Sequence, residues 1–329
     1  MGYAFKTMMA AGALAMSVSG AAKAADYSLI SAPFGSGSYV LGAALEQIVS
    51  ANSTELRISH SESPGFVFNL QQLQKNPDLR KTMIIGTGRG TATLAAEGAA
   101  PFTEKMPPIK ALANYNLGSN FLVTLKDDIK TPADLKGKRV GLGRRPQINW
   151  TIQPEAILRN GAGLGQDVTV EYLGLNEAVA ALLDGQVDAA IVGGYFEPGN
   201  FKMEMSPHTT EFLAAGRKYH FLSWGQPQVE KAIAAGMPMS AVTIPASSLP
   251  GSDKPLEGFA DTISWGVSEE FPEDAAYQIV KLLIAHVGEF EKYHALGKLM
   301  TKESLPYGWA VAELHPGALR AYREAGLVK

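Results

Sequence analysis

Short apolar segments alternate with longer amphipathic ones along most of the chain after residue 26. In the longer segments, for example residues 40–49 and 272–286, apolar residues recur at every third or fourth position, as on one face of a helix. The short runs have the length of buried strands and lie at residues 27–32, 56–59, 83–85, 140–143, 168–172 and 188–192. This alternation predicts an α/β fold in which right-handed crossovers give parallel sheets.

Two further apolar segments predict crossings between two lobes. Residues 109–125 end in the strand-like run Phe121-Leu122-Val123-Thr124-Leu125, and residues 262–267 form the return crossing. A chain of 329 residues, 46% of them apolar, is long enough for two domains. We therefore expect two Rossmann-like lobes, the first formed by residues 25–125 and 261–329 and the second by residues 126–260.

The N-terminal residues 1–24 have the three parts of a secretion signal. Lys6 gives the positive start, residues 7–18 an apolar run, and Ala22-Lys23-Ala24 a small-x-small cleavage site. The apolar run is shorter than the ~20 residues that a membrane-spanning helix needs. The chain has no cysteine, which excludes disulfides and a lipid-modified N-terminal cysteine. We expect a soluble periplasmic protein that is not a lipoprotein.

Composition argues against several classes of function. Charge is nearly balanced, with 29 basic and 32 acidic residues, and no basic patch is interleaved with aromatics, so we expect no nucleic-acid partner. The chain has neither a cysteine nor a Gly-x-Ser-x-Gly motif, so nothing in it supports nucleophilic catalysis. His286 and His294 lie near Glu289 and Glu291, but without His-Glu-x-x-His spacing a solvated helix face is favoured over a metal site. We predict no catalytic residue, metal or cofactor.

Candidate ligand contacts follow the predicted strands. In open α/β sheets, ligands bind outside the carboxyl ends of the strands, near the N-termini of the next helices. The first-lobe candidates are Gly35, Ser36, Gly37, Ser38, Tyr39, Glu62, Ser63, Phe66, Thr87 and Arg89. The second-lobe candidates are Arg144, Arg145, Gln147, Asn149, Trp150 and Tyr195.

The arginines carry the main hypothesis about chemistry. A guanidinium group holds a carboxylate by two parallel hydrogen bonds, which suits the capture of an organic anion. Arg144 and Arg145 adjoin a helix N-terminus, and Arg89 is expected on the opposing lobe. Because Arg144 and Arg145 are consecutive, we expect one of them to face solvent.

Other candidates have structural explanations of equal weight. Ser36 fits an ordinary helix N-cap after a glycine turn. The aromatic candidates fit core packing as well as stacking on a ligand; they are Phe66, Trp150, Tyr195 and Phe196.

Four segments together resemble one family of solute receptors. They are the glycine-rich turn ending in Tyr39, the turn Gly65-Phe66-Val67-Phe68-Asn69-Leu70, the segment Asp184-Gly185-Gln186-Val187-Asp188-Ala189, and His315-Pro316-Gly317-Ala318-Leu319-Arg320. The chain resembles the TAXI family, the extracytoplasmic solute receptors of TRAP transporters, over nearly all of residues 26–329. The resemblance implies a periplasmic binding protein of type II architecture that takes a dicarboxylate, an amino acid or an aromatic carboxylate into its inter-lobe cleft. It would deliver that organic anion to TRAP membrane subunits.

The departures from the family fall on the loops. Residues 144–150 stand where the family usually has serine, threonine and glycine, which favours a ligand bulkier or more apolar than glutamate. Two other partners suit the same fold: an ABC importer of sulfonate, nitrate or pyrimidine type, and a signalling receptor that reads the ligand state. An enzyme is disfavoured because no nucleophile, metal set or paired carboxylates can be assembled. We expect a monomer.

Overall fold

The computed structural model describes residues 1, 24–198, 201–246 and 248–329, so the expected secretion signal lies outside the described residues. The predicted α/β architecture is confirmed. The strands are β1 (Ala25–Ile30), β2 (Leu56–Ser61), β3 (Met83–Gly88), β4 (Ile109–Thr124), β5 (Arg139–Leu142), β6 (Thr169–Tyr172), β7 (Ala189–Phe196), β8 (Met203–Met205), β9 (His220–Leu222), β10 (Ser240–Ile244) and β11 (Leu256–Ser268). The helices are α1 (Gly37–Asn52), α2 (Phe66–Lys75), α3 (Arg89–Glu97), α4 (Gln153–Ala156), α5 (Leu175–Leu183), α6 (Pro207–Ala214), α7 (Gln226–Ala234), α8 (Glu273–His286) and α9 (Pro316–Glu324).

The strands form one continuous mixed sheet in the order β2-β1-β3-β11-β4-β7-β5-β6, with β10 on β11, β8 on β7 and β9 on β4. Strand β1 is parallel to β2 and β3, and β5 is parallel to β6 and β7. The long strands β4 and β11 are antiparallel to each other and to their outer neighbours. The parallel strands expected in both lobes are thus present, and the crossing strands are antiparallel because a chain that crosses between lobes and returns must run in opposite directions.

Strands β4 and β11 each contribute to two separate hydrophobic cores. Tyr115 and Trp265 pack in the first core, with the buried faces of α1, α8 and α9. Phe121 and Phe259, further along the same strands, pack in the second core. The two lobes thus meet along β4 and β11, as expected of the predicted crossings. The exact lobe boundaries at residues 125 and 260 stay a prediction.

Helix α1 shows how the local sequence positions the first turn. The Ser36 side chain accepts a hydrogen bond from Tyr39 N at 3.3 Å, which satisfies one of the free N–H groups at the start of the helix. The apolar spacing of Leu41, Leu45 and Ile48 buries one face against the sheet. The N-terminus of α1 is thereby fixed at the inter-lobe cleft.

No helix within the described parts of the chain is both long enough and apolar enough to span a membrane.

Candidate functional site

A narrow recess lies between the lobes and has a volume of about 30 Å³, room for one or two water-sized groups. No charged side chain is among the described residues that line it. The first lobe contributes Ala32, Pro33, Ser38, Gly65 and Phe66, and the second contributes Gln147, Ile148, Asn149, Trp150 and Tyr195. The crossing strands contribute Gly118, Asn120 and Ile263.

A wider cavity of about 550 Å³ adjoins the recess, and Pro33 and Gln147 line both. Its volume falls in the range of about 300–1,000 Å³ that is usual for small-molecule sites. Unlike the recess, this mouth carries charges of both signs. Its lining residues are Pro33, Phe34, Glu62, Ser63, Pro64, Arg144, Arg145, Gln147, Gly174, Leu175, Asn176 and Glu177.

The segment that joins the two cavities follows β5. Gly143 N donates to Trp150 O at 2.9 Å, which closes a loop over residues 144–149. From Ile148 the chain is helical, with π-helical turns Ile148–Ile152 and Ile157–Gly161 on either side of α4. Turns of this wider type are frequent at functional sites. The predicted second-lobe loop thus lines both the recess and the mouth, and its contact with a ligand stays a prediction.

Arg144 lies at the mouth, with 62% of its side chain exposed. Its guanidinium donates to Glu177 Oε1 at 2.6 Å. That hydrogen bond, with a second one from Gly174 N, holds the pKa of Glu177 below its usual value. The pair is solvated and contributes little to stability.

Arg145 belongs to a network within the second lobe. It donates to Glu155 at 2.6 Å and stacks over the Tyr172 ring at 4.5 Å. Glu155 also accepts from Arg159 at 2.7 Å and from the Tyr172 hydroxyl at 3.0 Å. Burial raises the pKa of Glu155, but the hydrogen bonds from Arg159 and Arg145 outweigh that effect and leave it lowered. Neither Arg144 nor Arg145 lines the inner recess.

Arg89 starts α3 in the first lobe and lines neither the recess nor the mouth. Arg89 donates to Gly308 O at 2.7 Å and lies 3.4 Å from Glu313, so its side chain is held against the C-terminal part of the chain. It lines another cavity of about 860 Å³, to which the first lobe contributes Gly90 and the second contributes Phe196 and Met239. Thr87 is fully buried in the sheet, donates to Gly88 O, and lines neither the recess nor the mouth.

Of the five candidates around the start of α1, only Ser38 lines the recess. Ser36 serves as the N-cap of α1, and Tyr39 packs edge-on against Phe34 and His60. Gly35 and Gly37 instead allow the lobes to approach. Gly35 O lies 3.3 Å from His208 Nδ1, and a Cβ on Gly37 would lie 2.3 Å from a ring carbon of Tyr195.

Three of the aromatic candidates are buried side chains that also line the recess. Phe66, Trp150 and Tyr195 are each less than a tenth exposed, and all three line the recess. The Trp150 ring meets the His208 ring edge-on at 4.9 Å. Burial lowers the pKa of His208 to about 4, so that this histidine is neutral at physiological pH.

The crossing strands also line the recess, and their contribution was not predicted from the sequence. Asn120 on β4 is buried, lines the recess, and donates to Asn149 O at 2.6 Å. A signal was present, because asparagines at 114, 116 and 120 interrupt an otherwise apolar strand. Buried amides require partners, so such residues mark a polar junction.

A buried polar network lies behind the recess and joins the lobes. Asp261 on β11 accepts from Gly90 N at 3.0 Å in the first lobe, and from Asn149 Nδ2 at 3.3 Å in the second. Gln153 Nε2 lies 3.4 Å from the same carboxylate. Burial raises the pKa of Asp261 to about 6, and the surrounding N–H donors oppose that rise.

Several solved structures resemble this chain. A protein of R. palustris solved with adipate aligns with a TM-score of 0.52 and 14% identity over 92% of this chain and 94% of that one. A structure described as a periplasmic transporter aligns with a TM-score of 0.53 and 13% identity over 91% and 95%. The alkanesulfonate-binding protein SsuA from Xanthomonas axonopodis pv. citri, bound to MOPS, gives 0.44 and 17% over 94% and 86%. At these identities the likeness concerns the fold.

The sequence itself matches a family model over residues 29–326, which include both lobes and the whole lining of the recess and mouth. The chain belongs to the NMT1-like family.

Proposed function

We propose that this protein is an extracytoplasmic solute-binding protein that encloses a small organic anion between its lobes and delivers it to a membrane transporter. The observation that supports the proposal is the recess, because both lobes and both crossing strands line it. Closing two lobes over a ligand excludes water and strengthens every polar contact inside. We propose binding rather than catalysis.

The two cavities accommodate different parts of the ligand. The recess has apolar and uncharged polar walls, which suit the body of the ligand. The carboxylate lies at the mouth, where Arg144 presents an exposed guanidinium. We favour Arg144 over Arg145, because Arg145 is already held by the largely buried Glu155. The remaining N–H groups of Arg144 are sufficient for a carboxylate.

The experiment that tests this proposal starts with the ligand that co-purifies with the protein, identified by native mass spectrometry. Titration calorimetry then compares the wild type with Arg144→Ala, for which we expect affinity to fall by about tenfold or more because a charge-assisted hydrogen bond is lost. Arg57→Ala is the matched control, since Arg57 is an exposed first-lobe arginine. Unchanged affinity in both Arg144→Ala and Arg145→Ala would refute the carboxylate contact.

We propose a TRAP transporter as the partner, on the resemblance to the TAXI family. An ABC importer is the alternative. Reconstituted transport distinguishes them, because a TRAP system takes up the ligand with an ion gradient and an ABC importer requires ATP. Uptake that depends on ATP would replace the proposed partner and leave the binding function intact.

A further inference from the structure

The cavity of about 860 Å³ lies between the lobes, as the recess does, and we call it the rear cavity. It is the larger of the two by far, and the described residues that line it come from both lobes and from both crossing strands. The first lobe contributes Gly90, Thr93 and Tyr307, and the second contributes Phe196, Met239 and Ser240.

Strand register places the rear cavity on the opposite face of the sheet from the recess. Leu117 on β4 pairs with Thr262 on β11 and with Phe196 on β7, and all three line the rear cavity. In the next row, Gly118 pairs with Tyr195, and both line the recess. Successive residues of a strand point to opposite faces. The two cavities are therefore separated by the strands that must bend when the lobes move.

The inner end of the rear cavity is a close contact between the lobes beside β11. Gly90 N of the first lobe donates to Asp261 Oδ1 on β11 at 3.0 Å. A Cβ on Gly90 would lie 2.6 Å from Pro238 O of the second lobe and 2.8 Å from Asp261 Oδ2. All three residues line the cavity. The lobes thus touch next to a bending strand, which places this contact near the axis of the motion.

Two bodies that rotate about such an axis approach each other on one side when they separate on the other. Separation of the lobes at the recess must therefore bring Thr93 and Tyr307 closer to Phe196 and Ser240. The rear cavity is thus widest when the cleft is closed. A group that fills it opposes opening, because it fits the closed form only.

We infer that the rear cavity controls the balance between the open and closed forms, so that filling it favours closure and tightens ligand binding at the recess. The apparent affinity of a ligand that requires the closed form rises with the fraction of protein already closed. The effect on affinity rests on the proposed function, whereas the effect on lobe opening in the free protein does not.

The test fills the rear cavity from each lobe in turn. Ser240 is exposed on β10 and pairs with Ala260, which also lines the cavity, so Ser240→Trp places a ring on that face. Thr93→Trp does the same from α3 in the first lobe. Thr169→Trp is the matched control, because Thr169 is exposed on β6 and lines none of the three cavities.

Two measurements separate the parts of the inference. Small-angle X-ray scattering without ligand should give a smaller radius of gyration for Ser240→Trp and Thr93→Trp than for the wild type and the control. Titration calorimetry with the co-purified ligand should show binding at least about threefold tighter in the same two variants. Thermal unfolding without ligand shows whether each variant folds.

The outcomes distinguish the inference from the proposed function. A wild-type radius of gyration and wild-type affinity in both filled variants overturn the inference, and so does equal tightening in Thr169→Trp. Loss of binding in both filled variants, with the fold intact, would place the ligand in the rear cavity and also overturn it. If the filled variants become more compact but no protein binds a ligand, the proposed function fails and the control of lobe opening stands.

Discussion

At the scale of single residues, two buried titratable groups lie where the lobes meet, and burial shifts their pKa values in opposite directions. His208 on α6 contacts Gly35 O of the other lobe, and burial lowers its pKa to about 4. Burial raises the pKa of Asp261, which joins Gly90 to Asn149, to about 6. Acidification therefore weakens the junction through His208, whereas protonation of Asp261 offsets part of that loss.

The first prediction concerns His208→Gln. The unfolded chain takes up a proton near the ordinary histidine pKa of 6.5, while folded His208 resists protonation down to about pH 4. The free energy of unfolding that His208 contributes is therefore lost as pH falls below 6.5, by about 2 kcal/mol between pH 7 and pH 5. Urea unfolding at both pH values should show a smaller acid loss in His208→Gln than in the wild type. The same change at His286, a partly exposed histidine bonded to Glu289, is the control, and an equal acid loss in all three proteins would contradict the prediction.

The site residues differ in how far sequence could identify them. Ser38, Phe66, Gln147, Asn149, Trp150 and Tyr195 were predicted and line the recess, because strand ends locate such turns without knowledge of side-chain directions. The directions of the arginine side chains could not be predicted. They depend on Glu155, Glu177 and Glu313, which only the folded chain brings close.

At the scale of elements, the start of α1 in the first lobe packs closely against β7 of the second. The first residue of α1, Gly37, packs against the Tyr195 ring on β7 so closely that a Cβ would approach ring carbons to 2.3 and 2.8 Å. The same Cβ would lie 2.5 Å from Leu296 of the first lobe. Glycine is thus required by packing at this position, and the closed cleft depends on it.

We predict that Gly37→Ala weakens ligand binding by forcing α1 and β7 apart. Overpacking of this kind costs about 1–3 kcal/mol, which corresponds to about tenfold or more in affinity if the closed form alone carries it. Calorimetry with the co-purified ligand measures the affinity, and thermal unfolding measures the stability. Gly288→Ala is the matched control, because no atom lies within 4 Å of its added Cβ. Wild-type affinity in Gly37→Ala would show that the contact is not needed for binding.

The sequence predicted the long elements better than the short ones. The apolar length of β4 and the amphipathic face of α8 identified both elements, because burial imposes a pattern on many residues. Strands β8 and β10 were missed. β8 has three half-buried residues, and β10 lies at an edge with most of its residues exposed. Neither strand therefore shows the regular pattern of buried residues from which a strand is predicted.

At the scale of the whole molecule, the lobes are in contact across the cleft. Gly35 meets His208, and Gln147 meets Pro64, each pair joining opposite lobes. The recess that remains holds only about 30 Å³, so a ligand that places a group there must enter when the lobes are apart. Because β4 and β11 run through both cores, the motion that opens the cleft must bend these two strands.

A pair of introduced cysteines tests this opening directly. The natural chain has no cysteine, so Phe34→Cys and Asn176→Cys, which lie at the mouth on opposite lobes, can be labelled selectively with nitroxides. We expect electron paramagnetic resonance to show long and broadly distributed distances in the free protein. Addition of the co-purified ligand should shorten and narrow them, since the ligand stabilises the closed form by its differential affinity for that form.

A second pair separates lobe closure from general ordering. Ser50→Cys and Asp78→Cys are both exposed and both within the first lobe, so their distance should not respond to the ligand. If the cross-lobe pair gives one short distance with and without ligand, the protein is closed at rest. Ligand entry would then require local movement of the 144–150 loop, and rigid-body opening about β4 and β11 would be excluded. A ligand-dependent change in the cross-lobe distance alone supports the two-lobed receptor. In a rigid protein, the ligand would change neither the cross-lobe distance nor the distance within the first lobe.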